Sequence, residues 1–197
     1  MNHKFRITNI SPDHFIEIDG GQDITAESIK DYMSYGVWVL FGRKEDQLWT
    51  CLQVGQSNNI GSEIISDVKC LSGKIEIIEE KEYINQFGNS VEGYTYDIYL
   101  TPREQIYKKI GTQYNDFVFV CICCGESCKD DKKAIEKYVA WKLRALFWRN
   151  GRAFVKVKEN VEEPKDIETI DFKEKESVNK MVEWYKNQKL KKMISDR

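Results

Sequence analysis

The sequence predicts an α+β chain: a small antiparallel sheet with flanking helices and an added helix towards the C-terminal end. Three observations carry that prediction. Two runs rich in β-formers, residues 37–41 (VWVLF) and 48–54 (LWTCLQV), flank a polar loop at 42–47, the pattern of a β-hairpin. Directly after it, Ile60, Ile64, Val68 and Leu71 recur at helical spacing and give that helix one apolar stripe. Further on, residues 117–124 (FVFVCICC) read as a buried strand that leads into a helix apolar on two sides.

Length and composition set the bounds. A chain of 197 residues is long enough for one domain with an appended element, and 41% hydrophobic with 31% charged residues is a globular balance. The apolar runs are too short to span a bilayer, and the first ten residues carry no apolar leader segment. A cytoplasmic, reducing setting is the expectation. The net charge is −2, so no global basicity argues for a nucleic-acid partner, and any such surface must be a local cluster.

Taken in order, residues 1–35 are a lead-in, 36–158 the α/β core, and 159–197 a linker and C-terminal helix. In the lead-in, residues 15–18 read as a short strand. Residues 23–35 read as a helix capped by Thr25, with Ile29, Tyr32 and Met33 on its apolar face. His3 and His14 are the only histidines, which excludes a histidine-based dyad or metal cage. After the hairpin, Gly55 ends the second strand, and Asn58 or Asn59 caps the helix at 60–71. Residues 74–80 and 93–100 alternate like strands about a loop at 85–90. Thr101, Pro102 and Glu104 open a helix that ends near Gly111.

The helix from Lys132 to about Arg149 is capped by Asp130 or Asp131. It bears Ile135, Tyr138, Val139 and Leu146 on one stripe and Trp141, Ala145 and Trp148 on another, a pattern that wedges it between layers. Residues 150–151 stop it, and 153–157 read as a short strand. Residues 159–168, acidic and containing Pro164, read as the linker, and a last helix runs from about 172 to 193.

Four of the six cysteines fall in CICCGESC: Cys121, Cys123, Cys124 and Cys128. One reading is a metal or redox site; the other is a buried strand in which cysteine packs as a small apolar residue. The spacing fits no standard zinc pattern and no histidine is near. Strand alternation puts Cys121 and Cys123 on one side and Cys124 on the other.

The stretch Gly36-Val37-Trp38, followed by Gln53-Val54-Gly55 and then Gln56-Ser57-Asn58-Asn59-Ile60, resembles the strand motifs of the GIY-YIG nuclease family and their turn into the first helix. That family hydrolyses a phosphodiester with one divalent metal. Tyrosines of the two strand motifs act on water, an arginine eight residues past the second glycine grips phosphate, and a glutamate on a later helix holds the metal. The resemblance therefore implies catalytic positions at Trp38, Gln53, Glu63 and Glu136, with Glu136 as metal ligand and Mg²⁺ or Mn²⁺ as cofactor if active. It implies DNA contacts from Arg43, Lys44, Gln56, Ser57 and Asn58. The chemistry at these positions is altered. Indole N–H is a donor only, glutamine does not titrate, and Glu63 puts an anion where a cation belongs. Glu63 and Asp67 share a helix face. The expectation is a catalytically degenerate nuclease-like domain that binds DNA. Its alternatives are an active endonuclease with a re-sorted acidic site, and a protein-interaction domain with no nucleic-acid role.

Overall fold

The computed structural model describes residues 3–10, 15–20, 24–44, 47–73, 80–84, 90–97, 102–148 and 166–195. Its strands are β1 (Lys4–Asn9), β2 (Phe15–Asp19), β3 (Gly36–Arg43), β4 (Thr50–Ser57), β5 (Glu80–Ile84), β6 (Ser90–Asp97) and β7 (Asp116–Cys124). Its helices are α1 (Ile60–Leu71), α2 (Pro102–Gln113), α3 (Lys132–Leu143) and α4 (Lys175–Ser195). The expectations for 74–79, 85–89, Thr101 and 150–165 lie outside the described residues.

The α+β class holds. The main sheet has five strands in the order β2-β1-β7-β3-β4, and β5 and β6 form a separate pair. The predicted hairpin is present: β3 and β4 run antiparallel from Gly36↔Ser57 to Gly42↔Thr50. β7 is the central strand, and β3 lies between it and the edge strand β4, antiparallel to both. The sheet is larger than expected because the lead-in is part of it. β1 lies parallel to β7, from Lys4↔Asp116 to Asn9↔Cys121, which makes the sheet mixed.

Strand alternation divides the core into two layers. Trp38 and Leu40 face α1 and α2, packing with Ile60, Ile64, Val68, Leu71, Ile106, Tyr107 and Ile110. Val37, Val39 and Phe41 face the other way, packing with Ile135, Tyr138, Val139 and Leu143 of α3 and with Val178, Val182 and Tyr185 of α4. Residues 36–42 of β3 are all buried, which follows from this covering on both faces.

Several local expectations are corrected. The helix expected at 23–35 is a short 3₁₀ segment, Glu27–Tyr32, with non-helical φ/ψ at Ile29. Its N-cap is Ala26, with no side-chain cap, while Thr25 and Ser28 bond each other across its start: the Ser28 N–H donates to Thr25 Oγ1 at 3.3 Å, and the Thr25 N–H to Ser28 Oγ at 3.1 Å. α3 stops at Leu143, where Arg144 adopts a left-handed conformation, φ 50°, and ends the helix. The chain then runs along the edge strand β4. Leu146 N–H donates to the Cys51 carbonyl at 3.2 Å and Phe147 N–H to that of Leu52 at 2.9 Å.

The cysteine alternation fails at one residue. Cys123 has φ 51°, and the pairing with β3 shifts between Gly36 and Val37. This bulge turns the chain by one place. Cys121 and Cys124 therefore pack on the α1 side, while Cys123 joins Cys128 on the α4 side. Cys128 reaches that side through a turn at Gly125, φ 113°, and all six cysteines are free thiols.

Candidate functional site

The site implied by the sequence begins at β3 and β4. Trp38 is buried opposite Gly55, and its indole lies across the glycine: a Cβ there would come within 2.3 Å of the ring. Gly55 is therefore required by the width of this ring; it does not end the strand as expected, because β4 runs on to Ser57. Gln53 pairs with Leu40 and so shares the Trp38 face. Trp38 Nε1 and Gln53 Oε1 are both buried, and neither has a hydrogen-bond partner among the described residues. A donor and an acceptor thus stand unsatisfied where the resemblance places two tyrosines.

Next comes the turn into α1. Asn59, with extended φ, accepts from the Ser62 N–H at 3.0 Å and caps the helix. Ser57 Oγ accepts from the Asn59 N–H at 3.0 Å and lies 3.4 Å from Glu63 Oε1, to which it donates. Glu63 is half-buried in the first turn, where a carboxylate suits the helix dipole. Asp67, one turn on, is fully buried.

Glu136 is carried by α3, which packs on the opposite face of the sheet from Trp38. Its Oε1 accepts from Trp148 Nε1–H at 3.1 Å, and Trp148 meets Trp141 edge-on at 6.2 Å. Burial pushes the Glu136 carboxyl above the usual range, while the Trp148 N–H and the nearby Lys133 pull the other way. These positions do not fit a divalent ion as they stand. Glu136 already serves an indole, and among the described residues no three His, Cys, Asp or Glu side chains are grouped to hold a metal.

The five expected DNA-contacting residues divide between two ends of the hairpin. Arg43 and Lys44 lie at one end, and Gln56, Ser57 and Asn58 at the other. Seven steps of β3 separate the ends by about 24 Å. Arg43 is bound into the fold. Its Nη2 is 2.7 Å from Asp116 Oδ2, Arg6 holds the other carboxylate oxygen, and both guanidiniums stack on Trp49 at 4.6 and 5.4 Å. Lys44 lies 5.5 Å from the centroid of the Tyr114 ring.

The Gly36 end gathers three segments. Gly125 N–H bonds the Tyr35 carbonyl at 2.9 Å, and Ile60 N–H that of Ser34 at 2.9 Å, so the start of β3, the turn before α1 and the loop after β7 meet. Sequence reading missed two residues here. Lys129 and Lys132 lie 5.4 and 5.2 Å from the centroid of the Tyr35 ring, and Lys132 also donates to Asn58 Oδ1. Nothing local signals this, because Tyr35, Asn58 and Lys132 come from distant parts of the chain.

The thiols on the α4 side lie beside Glu174, and burial is the main cause that pushes Cys123 and Cys128 above the ordinary thiol range. On the other side Cys124 accepts from Cys121, which lowers it. No helix among the described residues is long and apolar enough to cross a membrane. Compared with known proteins, the chain matches no family model, and neither the curated proteins nor the solved structures give a match.

Proposed function

We propose that this chain is a GIY-YIG-like domain that binds DNA and does not cleave it. The observation that carries the reading is that three of the four side chains in the family's catalytic positions are taken up by the fold itself. Trp38 covers Gly55, Glu63 is bonded by Ser57, and Glu136 accepts from Trp148. Support for the nuclease-like frame comes from the order of parts. The Gly-Val-Trp strand is an interior strand, the Gln-Val-Gly strand pairs with it at the sheet edge, and α1 follows at once. Support for lost catalysis comes from charge: a carboxylate at Glu63 repels the phosphate that an arginine would hold.

Plasmid nicking tests the catalytic half of the proposal, with Mg²⁺, Mn²⁺ or chelator. The expected result is no metal-dependent nicking by the wild type. Brisk cleavage that Glu136→Ala abolishes would overturn the reading in favour of an active endonuclease with a re-sorted acidic site. A protein-interaction role is the second reading, and one observation favours it. Trp184 on α4 is 51% exposed beside the buried Met181, Val182 and Tyr185.

A further inference from the structure

The geometry points to the Gly36 end of the sheet as the place where a DNA phosphodiester backbone is held, with the ammonium groups of Lys129 and Lys132 as the cations that hold it. The inference rests on the DNA-binding reading above and names the residues that make the contact.

Two ammonium groups are gathered at one ring: Lys129 and Lys132 lie 5.4 and 5.2 Å from the centroid of Tyr35. Each gains from the ring's quadrupole, but like charges held this close repel. Among the described residues neither lysine has a carboxylate within ion-pair distance, although Glu126, Asp130 and Asp131 belong to the same loop. Lys132 donates one hydrogen bond to a neutral amide oxygen, Asn58 Oδ1, and keeps further N–H donors. Phosphate oxygens brought to the two ammoniums relieve that repulsion, and a DNA backbone supplies them from one phosphate or from successive ones. The surroundings are polar and accessible: Lys129 and Asn58 are exposed, and Ser57, Asn59 and Lys132 are half-buried. The three segments that build the place are also tied by backbone hydrogen bonds, so the cations are presented from a fixed frame.

The cations at the other end of β3 are differently placed. Arg6 and Arg43 share Asp116, and the stack on Trp49 holds both guanidinium planes. A phosphate arriving there competes with a carboxylate already in place. The Gly36 end has no such competitor among its described partners, which is why it is the site chosen.

The experiment is a titration of a fluorescently labelled 20-base-pair duplex with the full chain at several salt concentrations. The proteins are wild type, Lys129→Gln/Lys132→Gln, Lys44→Gln, Tyr35→Phe and Tyr35→Leu. Thermal melts confirm that each variant is folded. Losing two phosphate contacts should reduce the slope of log affinity against log salt by about 2 and weaken binding roughly tenfold near 0.1 M salt. Lys44→Gln, at the far end of β3, should weaken binding far less than the double variant, and Tyr35→Phe, which keeps the ring, should weaken it less than Tyr35→Leu. Tyr35→Leu, which keeps both charges but removes the ring that positions them, should fall in between. If the wild type binds with a clear salt dependence and the double variant keeps that slope, the assignment to Lys129 and Lys132 is overturned while DNA binding stands. A loss with Lys44→Gln as large as with the double variant also overturns it. If the wild type binds no duplex at low salt, the DNA-binding reading and this inference fall together.

Discussion

At the Arg43 end of β3, cations close onto a carboxylate; at the Gly36 end, they rest on a ring and an amide. The two ends belong to one strand and differ in what their charges do. Two arginines on Asp116 hold β1, β3 and β7 together, because Arg6, Arg43 and Asp116 lie on those three strands. The lysines at the other end hold less of the structure and remain available to a ligand. The same residue class serves stability where an opposite charge is built in, and recognition where none is.

The largest way to break this comparison is at Asp116. Its side chain is 11% exposed, and removing it leaves two guanidiniums facing each other. Because Arg6 and Arg43 are 27% and 35% exposed, water relieves part of the penalty. Asp116→Ala should cost about 2 kcal/mol in urea unfolding, less than a fully buried pair would cost. An unchanged midpoint would mean the Arg43 end is no more structural than the other.

A slightly smaller effect is expected beside Gly55. A methyl group there meets the Trp38 ring at 2.3 Å, so Gly55→Ala should destabilise by about 2 kcal/mol or somewhat less. In a Trp38→Leu background most of that cost should disappear, and a double-mutant cycle reads the difference. Additive costs would show that the glycine is needed for its backbone alone. At the neighbouring turn, Asn59→Ala removes the cap of α1 and should cost about 1 kcal/mol. A thermal melt checks it, and no loss would mean that the first turn of α1 contributes little at this end.

The smallest effect depends on pH. Burial, the larger influence, raises the Glu136 carboxyl in the folded chain, so folding favours its protonated form. Its stabilising contribution is present below the unfolded value and is lost as pH rises through the folded one. Glu136→Gln keeps an acceptor for Trp148 without the charge. It should raise the melting temperature slightly at pH 7 and lose that advantage below about pH 4. A lower melting temperature at pH 7 would mean that the ionised carboxylate is worth more to Trp148 than its burial costs.

Much of the core was legible because its signals are local. The hairpin, the Asn59 cap and the Ile60–Leu71 stripe each declare themselves within a few residues. β1 did not, because its partner β7 lies about 110 positions away and a parallel pairing has no turn to announce it. The cysteine faces were misread because one bulged residue, Cys123, inverts everything after it. Trp38 and Gln53 lie on strands and Glu63 and Glu136 on helices, but α3 puts Glu136 across the sheet from Trp38. What sequence did not reveal was occupation: that Arg43 is held by Asp116, that Glu136 accepts from Trp148, and that Tyr35 gathers two lysines.

The segment after α3 has one more consequence. The Leu146 and Phe147 amides occupy carbonyls of β4, the last strand of the sheet. An open strand edge is a template for the next chain, and here part of that edge is capped by the protein's own backbone. Loosening of that segment would uncover hydrogen-bonding groups and the buried Ala145, Phe147 and Trp148 at the same moment. The docking of that segment therefore shields part of one of the sheet's two edges from pairing with a second chain.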